Sequence, residues 1–176
     1  MTQNKDDLHN LLFSVRRSVR YHNRRRNFYD RFNLSSSALS LILGSATVYG
    51  LVKDSGGAQI ALIAAALVTV LSALNLVVGS ARQARLHHDL AKRFIALEKT
   101  MVKQPDPTEA NLSTWLEERL DIEMDEPPVL HVLNALCHNE LARAMGYGAE
   151  HYASVACYQR WLAPVLDVGE HRLKVG

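Results

Sequence analysis

Eight histidines, two cysteines and eighteen carboxylates are the side chains of this chain that could do chemistry. Their spacing argues against most of it. His87 and His88 are adjacent, so on a helix they point to different faces. His131 and His138 are seven apart and share a face, but no third ligand is in register, and no HExxH, CxxC or CxxH pairing exists. Cys137-His138 suggests a nucleophile and its base. Neighbouring helical residues diverge by about 100°, however, so the two would not meet. Cys137 lies on an apolar stripe and reads as a buried structural thiol. Cys137 and Cys157 fit no disulfide or metal spacing and suit a reduced, cytoplasmic setting. Glu117-Glu118 and Asp125-Glu126 read as solvated faces and helix caps. There is no GxGxxG, no phosphate-binding Walker loop and no GxSxG elbow. The expectation is a protein with no catalytic residues, no metal and no cofactor, and not an enzyme.

The densest feature is basic: Arg16-Arg17-Ser18-Val19-Arg20-Tyr21-His22-Asn23-Arg24-Arg25-Arg26. Such a tract could hold nucleic-acid phosphates. It ends just before a long apolar run, which favours a membrane interface with anionic lipid, and no nucleic acid is expected as a partner.

The placement of charge shows which elements carry these residues. Of 20 Lys and Arg and 18 Asp and Glu, none falls in residues 32–52 or 55–81. Leu34–Val52 and Ala58–Gly79 are therefore uncharged runs of 19 and 22 residues. At about 1.5 Å per residue, each can cross a hydrocarbon core of about 30 Å as a helix, which satisfies its own backbone. A cleaved signal peptide is not expected, because the first apolar run starts only at residue 32. Residues 1–31 hold eight Lys and Arg, the connecting loop one, and residues 82–103 six. The positive-inside rule then puts both termini in the cytoplasm of a cell with the chain in its inner membrane, and makes Lys53–Gly57 a tight external turn. Arg24, Arg25, Arg26, Arg31, Arg82 and Arg85 are the candidates for the cytoplasmic mouth or for lipid headgroups.

Within the first span, Ser36, Ser40, Gly44, Thr47 and Gly50 fall in one sector of the helical wheel, and within the second Ala61, Ala65, Thr69, Ser72, Asn75 and Gly79 do the same. Small, hydroxylated stripes serve close helix packing or line water. Ser36, Ser40, Gly44, Thr47, Ser72 and Asn75 are the pore-lining candidates. Asn75 is the most informative, since an amide in lipid needs a partner, either on a neighbouring subunit or in water. A helix is about 10–12 Å across, so a lumen needs roughly four or more helices and hence several copies of this chain.

The rest reads as helices. Asp6–Phe32 and Ala81–Lys103 flank the spans, carry apolar stripes (Leu8, Leu11, Leu12, Val15, Val19; Leu86, Leu90, Phe94, Leu97, Met101), and are expected to pair as an antiparallel cytoplasmic stalk. Pro105-Asp106-Pro107 ends the second of these. Asp106 is expected to cap a following helix with Glu109 at the capping-box position. Two more helices are expected, one from Val129 to a stop at Gly146 and one over Ala149–Leu166 that turns Tyr152, Val155, Ala156, Gln159, Leu162 and Leu166 to one side. The fold class is thus an all-α membrane protein: a two-transmembrane hairpin with stalk over residues 1–103 and a cytoplasmic helical domain over 104–176. Net charge is +5 over 1–31, +4 over 82–103 and −7 over 104–176. The acidic part is expected to stand off from the anionic inner leaflet or to fold against the basic stalk.

Arg20-Tyr21-His22-Asn23-Arg24-Arg25-Arg26-Asn27-Phe28-Tyr29-Asp30, running into a span with Leu43-Gly44-Ser45, then a short turn, a second span and a long helix, resembles the SLATT family. These are two-transmembrane effector domains associated with SMODS nucleotidyltransferases and SLOG sensors. The resemblance covers residues 10–103. Asp125-Glu126-Pro127-Pro128 with Cys137-His138-Asn139-Glu140-Leu141 is similar to a C-terminal extension of one subgroup. The resemblance implies a bacterial membrane effector of antiviral or conflict defence that oligomerises, forms pores and answers to a trigger. This chain has no recognisable fused sensor, so a separate cytoplasmic sensor protein, or its own helices, would supply the trigger. The expected function is a homo-oligomeric pore-forming effector or ion channel. The alternatives are a membrane-anchored scaffold for a cytoplasmic partner and a phage-type lysis or exclusion protein.

Overall fold

A computed structural model describes residues 2–52, 57–170 and 173 of the chain. The elements among the described residues are helices. α1 spans Thr2–Val52, α2 Gly57–Val78, α3 Ser80–Val102, α4 Glu109–Glu123, α5 His131–Ala144 and α6 Cys157–Leu162, with a 3-10 turn over Ala149–His151. Of the external turn expected at Lys53–Gly57, residues 53–56 lie outside the described residues. The first proline of the chain is Pro105, so nothing in α1, α2 or α3 removes a backbone donor, and α1 runs unbroken for 51 residues.

The chain divides into two compact units, Met1–Arg25 with His87–Gly176, and Arg26–Leu86. Grouping does not follow chain order. In the first unit α1 and α3 are antiparallel partners. His22 meets His87, Arg16 meets Glu98 at 2.7 Å, and Asn4 meets the Pro107 carbonyl just beyond α3 at 3.3 Å. Leu8, Leu11 and Val15 on one helix, and Leu90, Phe94, Leu97 and Met101 on the other, are buried. Fully burying one such side chain contributes roughly 1.5–3 kcal/mol, so this seam is the main source of cohesion. A second cluster joins Tyr21 to Val132, Leu133, Cys137, Val155 and Ala163. The acidic C-terminal helices fold against the basic N-terminal segment: Arg24 pairs with Glu140, Arg93 with Asp125, and the Tyr21 hydroxyl accepts from Leu130 N at 3.0 Å.

Local caps differ from the expected ones. Thr108, not Asp106, caps α4. Its hydroxyl accepts from Asn111 N while Asn111 Oδ1 accepts from Thr108 N, so Asn111 takes the place expected for Glu109. Asp106 pairs instead with Lys5 at 2.8 Å, raising the Lys5 pKa. At α5 the capping carboxylate is Asp167, which accepts from His131 N at 2.6 Å and Val132 N at 2.8 Å. Glu126 and Asp125, which are nearer in sequence, turn to His22 and Arg93. The single last helix expected over Ala149–Leu166 is a 3-10 turn and the six-residue α6. Gln159 points inward, and Tyr158 and Trp161 point out.

The second unit is a helical hairpin of α1 beyond Arg25, α2 and the start of α3. α1 and α2 are two helices long and apolar enough to cross a membrane. The most apolar stretch of each helical run is only 11% buried. Leu41, Leu76 and Val77 are 74%, 83% and 85% exposed. A core helix of a water-soluble domain hides such residues, and here nothing among the described residues covers them.

Candidate functional site

The hairpin is held differently at its two ends. Near the turn, Gly50 and Gly57 are in backbone contact: a Cβ on Gly50 would lie 2.6 Å from the Gly57 carbonyl oxygen and 3.1 Å from Ala61 Cβ. Ala61 and Ala64 are buried there. This is small-residue packing, in which missing side chains let backbones approach. At the other end the helices separate around a pocket of 460 Å³ that Ser36, Ser40, Ser72 and Asn75 line together with Asn33 and Ser80.

Gly79 shapes that end. Its φ of +59° lies in the left-handed region, where a side chain is strained. It separates α2 from α3, yet Gly79 N→Asn75 O (3.0 Å) and Gln83 N→Gly79 O (2.9 Å) carry the helical ladder across. Ser80, the next residue, is buried and its hydroxyl reaches both Asn33 and Asn75. Asn75 Nδ2 donates to Asn33 Oδ1 at 3.2 Å. The amide at the end of α2 thus finds partners inside its own chain. Asn33 had not been singled out in the sequence. Its position two residues before Ser35-Ser36-Ser37 on a span-bearing helix is the signal that marks it.

Four of the six sequence-derived lining candidates converge here. Ser36 is buried, Ser40 and Asn75 are half-buried, and Ser72 is exposed. Gly44 and Thr47 lie elsewhere along α1. A Cβ on Gly44 would meet nothing within 4 Å, and Thr47 donates its hydroxyl back to Leu43 O at 2.9 Å. The basic candidates also divide. Arg82 borders the pocket, Arg31 and Arg85 are exposed, and Arg26 pairs with Asp30 at 3.4 Å. Arg24 and Arg25 are engaged in the other unit, with Glu140 and with the Pro164 carbonyl.

That other unit contains a buried polar chain. Glu126 Oε1 lies 3.0 Å from His22 Nε2, and His22 Nδ1 lies 2.9 Å from His87 Nδ1. His22 stacks on Phe94 at 5.5 Å and both imidazoles are fully buried. A carboxylate can only accept, so His22 Nε2 carries a proton. With His22 neutral, its Nδ1 is an acceptor and His87 Nδ1–H donates. Burial above all, with His22 and the Arg25 guanidinium close by, holds the His87 pKa down at about 3, so His87 is neutral at ordinary pH. The chain pins α1 to α3 and to the α4–α5 connection. The sequence carried a sign of it: His22 continues the stripe of Leu8, Leu11 and Val15, and His87 begins that of Leu90, Phe94, Leu97 and Met101.

Other expected groups stay apart. Cys137 is buried and its thiol pKa is raised to about 11, mainly by burial, while His138 bonds the His151 carbonyl at 3.0 Å, so the two form no nucleophile–base pair. Cys157 is exposed. His131 does gather two carboxylates, Asp167 and Glu170, with ligand-type atoms within 4.8 Å of one another. That group is solvent-exposed in part, and both Asp167 oxygens already accept helix N–H groups.

No family model, characterised protein or solved structure matches this chain.

Proposed function

We propose that the protein is a homo-oligomeric pore-forming membrane effector or ion channel, seated in the cell's inner membrane with both termini cytoplasmic. The observation that carries this reading is the polar pocket at one end of an otherwise apolar hairpin, where Ser36, Ser40, Ser72 and Asn75 converge. Hydroxyls and amides are costly against lipid and useful against water. Several hairpins gathered with these pockets inward would enclose a wetted constriction, which a single hairpin cannot do. Lys and Arg bias on either side of the spans supports the orientation. A role in bacterial antiviral defence rests on the SLATT resemblance of residues 10–103, and a separate sensor protein would be the trigger.

The test is electrical recording from purified protein in planar bilayers. Discrete conductance is expected, and Asn75→Leu, which places an apolar group at the constriction, is expected to lower it by roughly tenfold. Silence at every voltage and pH, from protein shown to be inserted and oligomeric, overturns the pore and leaves the hairpin as a tether for a cytoplasmic scaffold.

A further inference from the structure

The hydroxyls of the hairpin fall into two groups. Ser45, Thr47 and Thr69 donate to the carbonyl four residues back, at 3.0, 2.9 and 2.9 Å, which satisfies each within its own helix. Ser36, Ser40 and Ser72 sit on the same two helices and line the 460 Å³ pocket, and among the described residues their hydroxyls have no partner. Ser36 is the most telling, because it is only 6% exposed. A hydroxyl so enclosed is costly to leave unpaired, so its partner has to be something held in the pocket.

The atoms already in use and the charges nearby decide what that is. Asn33 Oδ1 accepts from Asn75 Nδ2 at 3.2 Å and from Ser80 Oγ at 3.3 Å, and Ser80 also reaches Asn75 Oδ1. The amide oxygens are thus turned on neighbours within the hairpin. Asn75 spends one of its two amide hydrogens on Asn33, which leaves the other, with the serine hydroxyls, to donate. A cation needs oxygens, whereas an anion needs N–H and O–H groups. Charge points the same way. Arg82 borders the pocket and no Asp or Glu does. Residues 26–86 hold two acids: Asp30, which pairs with Arg26 at 3.4 Å, and Asp54, which falls between the two apolar runs in sequence. Arg31, Arg82 and Arg85 make no ion pair among the described residues. A cleft with one sign of charge and low-dielectric walls concentrates the opposite ion.

We infer that the pocket binds a small monovalent anion of the chloride type through Ser36, Ser40, Ser72 and Asn75, with Arg82 at its edge, and that this anion is what the protein conducts. The inference rests on the reading of the protein as a pore and names the ion that the pore carries.

Reversal potentials of the full chain are measured in planar bilayers across a gradient of potassium chloride. Chloride is expected to permeate roughly tenfold better than potassium. Arg82→Glu is expected to bring that ratio to about one, and Ser36→Ala, which removes the enclosed donor without adding bulk, to lower it roughly threefold. A wild-type channel that prefers potassium, or that does not discriminate, overturns the anion site and leaves the pore standing. So does a chloride preference that neither variant alters. Inserted, oligomeric protein that stays electrically silent overturns the pore and the anion site together. Each measurement is made in phosphatidylcholine and repeated with phosphatidylglycerol added, in concentrated salt that screens the surface. Chloride preference in both lipids supports a free anion. A preference that disappears with phosphatidylglycerol gives the pocket to a lipid headgroup phosphate and overturns conduction of a free anion through it.

Discussion

The two units of this protein treat the same residue types in opposite ways. In the unit built on the N-terminal half of α1 and on α3 to α6, Leu90, Phe94, Leu97, Leu133 and Leu141 are hidden, and the buried His22 is paired with Glu126 and His87. In the hairpin unit most Leu, Ile and Val face outward along both helices, and Ser36, Asn75 and Ser80 turn inward at one end. The first pattern is what water selects, because apolar surface is driven inside. The second fits a hydrocarbon solvent, where an outward Leu carries no penalty. One chain therefore carries two opposite patterns of apolar exposure, divided within α1 itself.

The sharpest way to break this comparison is to disturb the packing on each side in turn. Phe94→Ala removes a fully buried ring that also supports His22, and is expected to cost about 3–5 kcal/mol of the first unit's stability, read as a lowered melting temperature in detergent. A smaller effect, about 1–3 kcal/mol, is expected for Gly50→Leu, since its Cβ would already strike the Gly57 backbone. It should be read from the hairpin's resistance to denaturing detergent, with the near-ultraviolet signal of the first unit unchanged. A similar loss in both units would mean that the two are not independent.

Acid should separate the units again. His87 is held neutral to about pH 3 when folded but takes a proton near 6.5 when unfolded. The unfolded chain therefore binds more protons between those values, and stability present above about pH 6.5 is lost as pH falls toward 3. On the order of 1–2 kcal/mol is expected to go between pH 7 and pH 5. His87→Phe should flatten that dependence, and an unchanged slope in the variant would remove His87 as its source. The smallest effect is reserved for the outward face of the hairpin. Val77→Ala, at a position 85% exposed, should change stability by less than about 0.5 kcal/mol. A loss comparable to that of a core residue would show that another protein surface, not lipid, covers that face.

Much of this was legible in the amino-acid order because it depends on composition over a window. Two charge-free runs long enough to cross a bilayer, the stripes of the flanking helices and the stop at Pro105 each follow from local sequence and helix geometry. The convergence of Ser36, Ser40, Ser72 and Asn75 was legible for the same reason, since a hairpin brings two marked faces together. Partner choice was not. Asp106 precedes a helix start and Asp167 follows a helix end, and nothing near either says that the first would take Lys5 and the second would cap a helix 36 residues upstream. The same holds for His22, which pairs with His87 65 residues away, and for α6, whose apolar stripe faces out because Gln159 is needed inside to satisfy three backbone groups. Periodicity announces a face. Which surface that face meets is decided by competition among all the donors, acceptors and apolar patches that folding brings together, and that competition exists only in three dimensions.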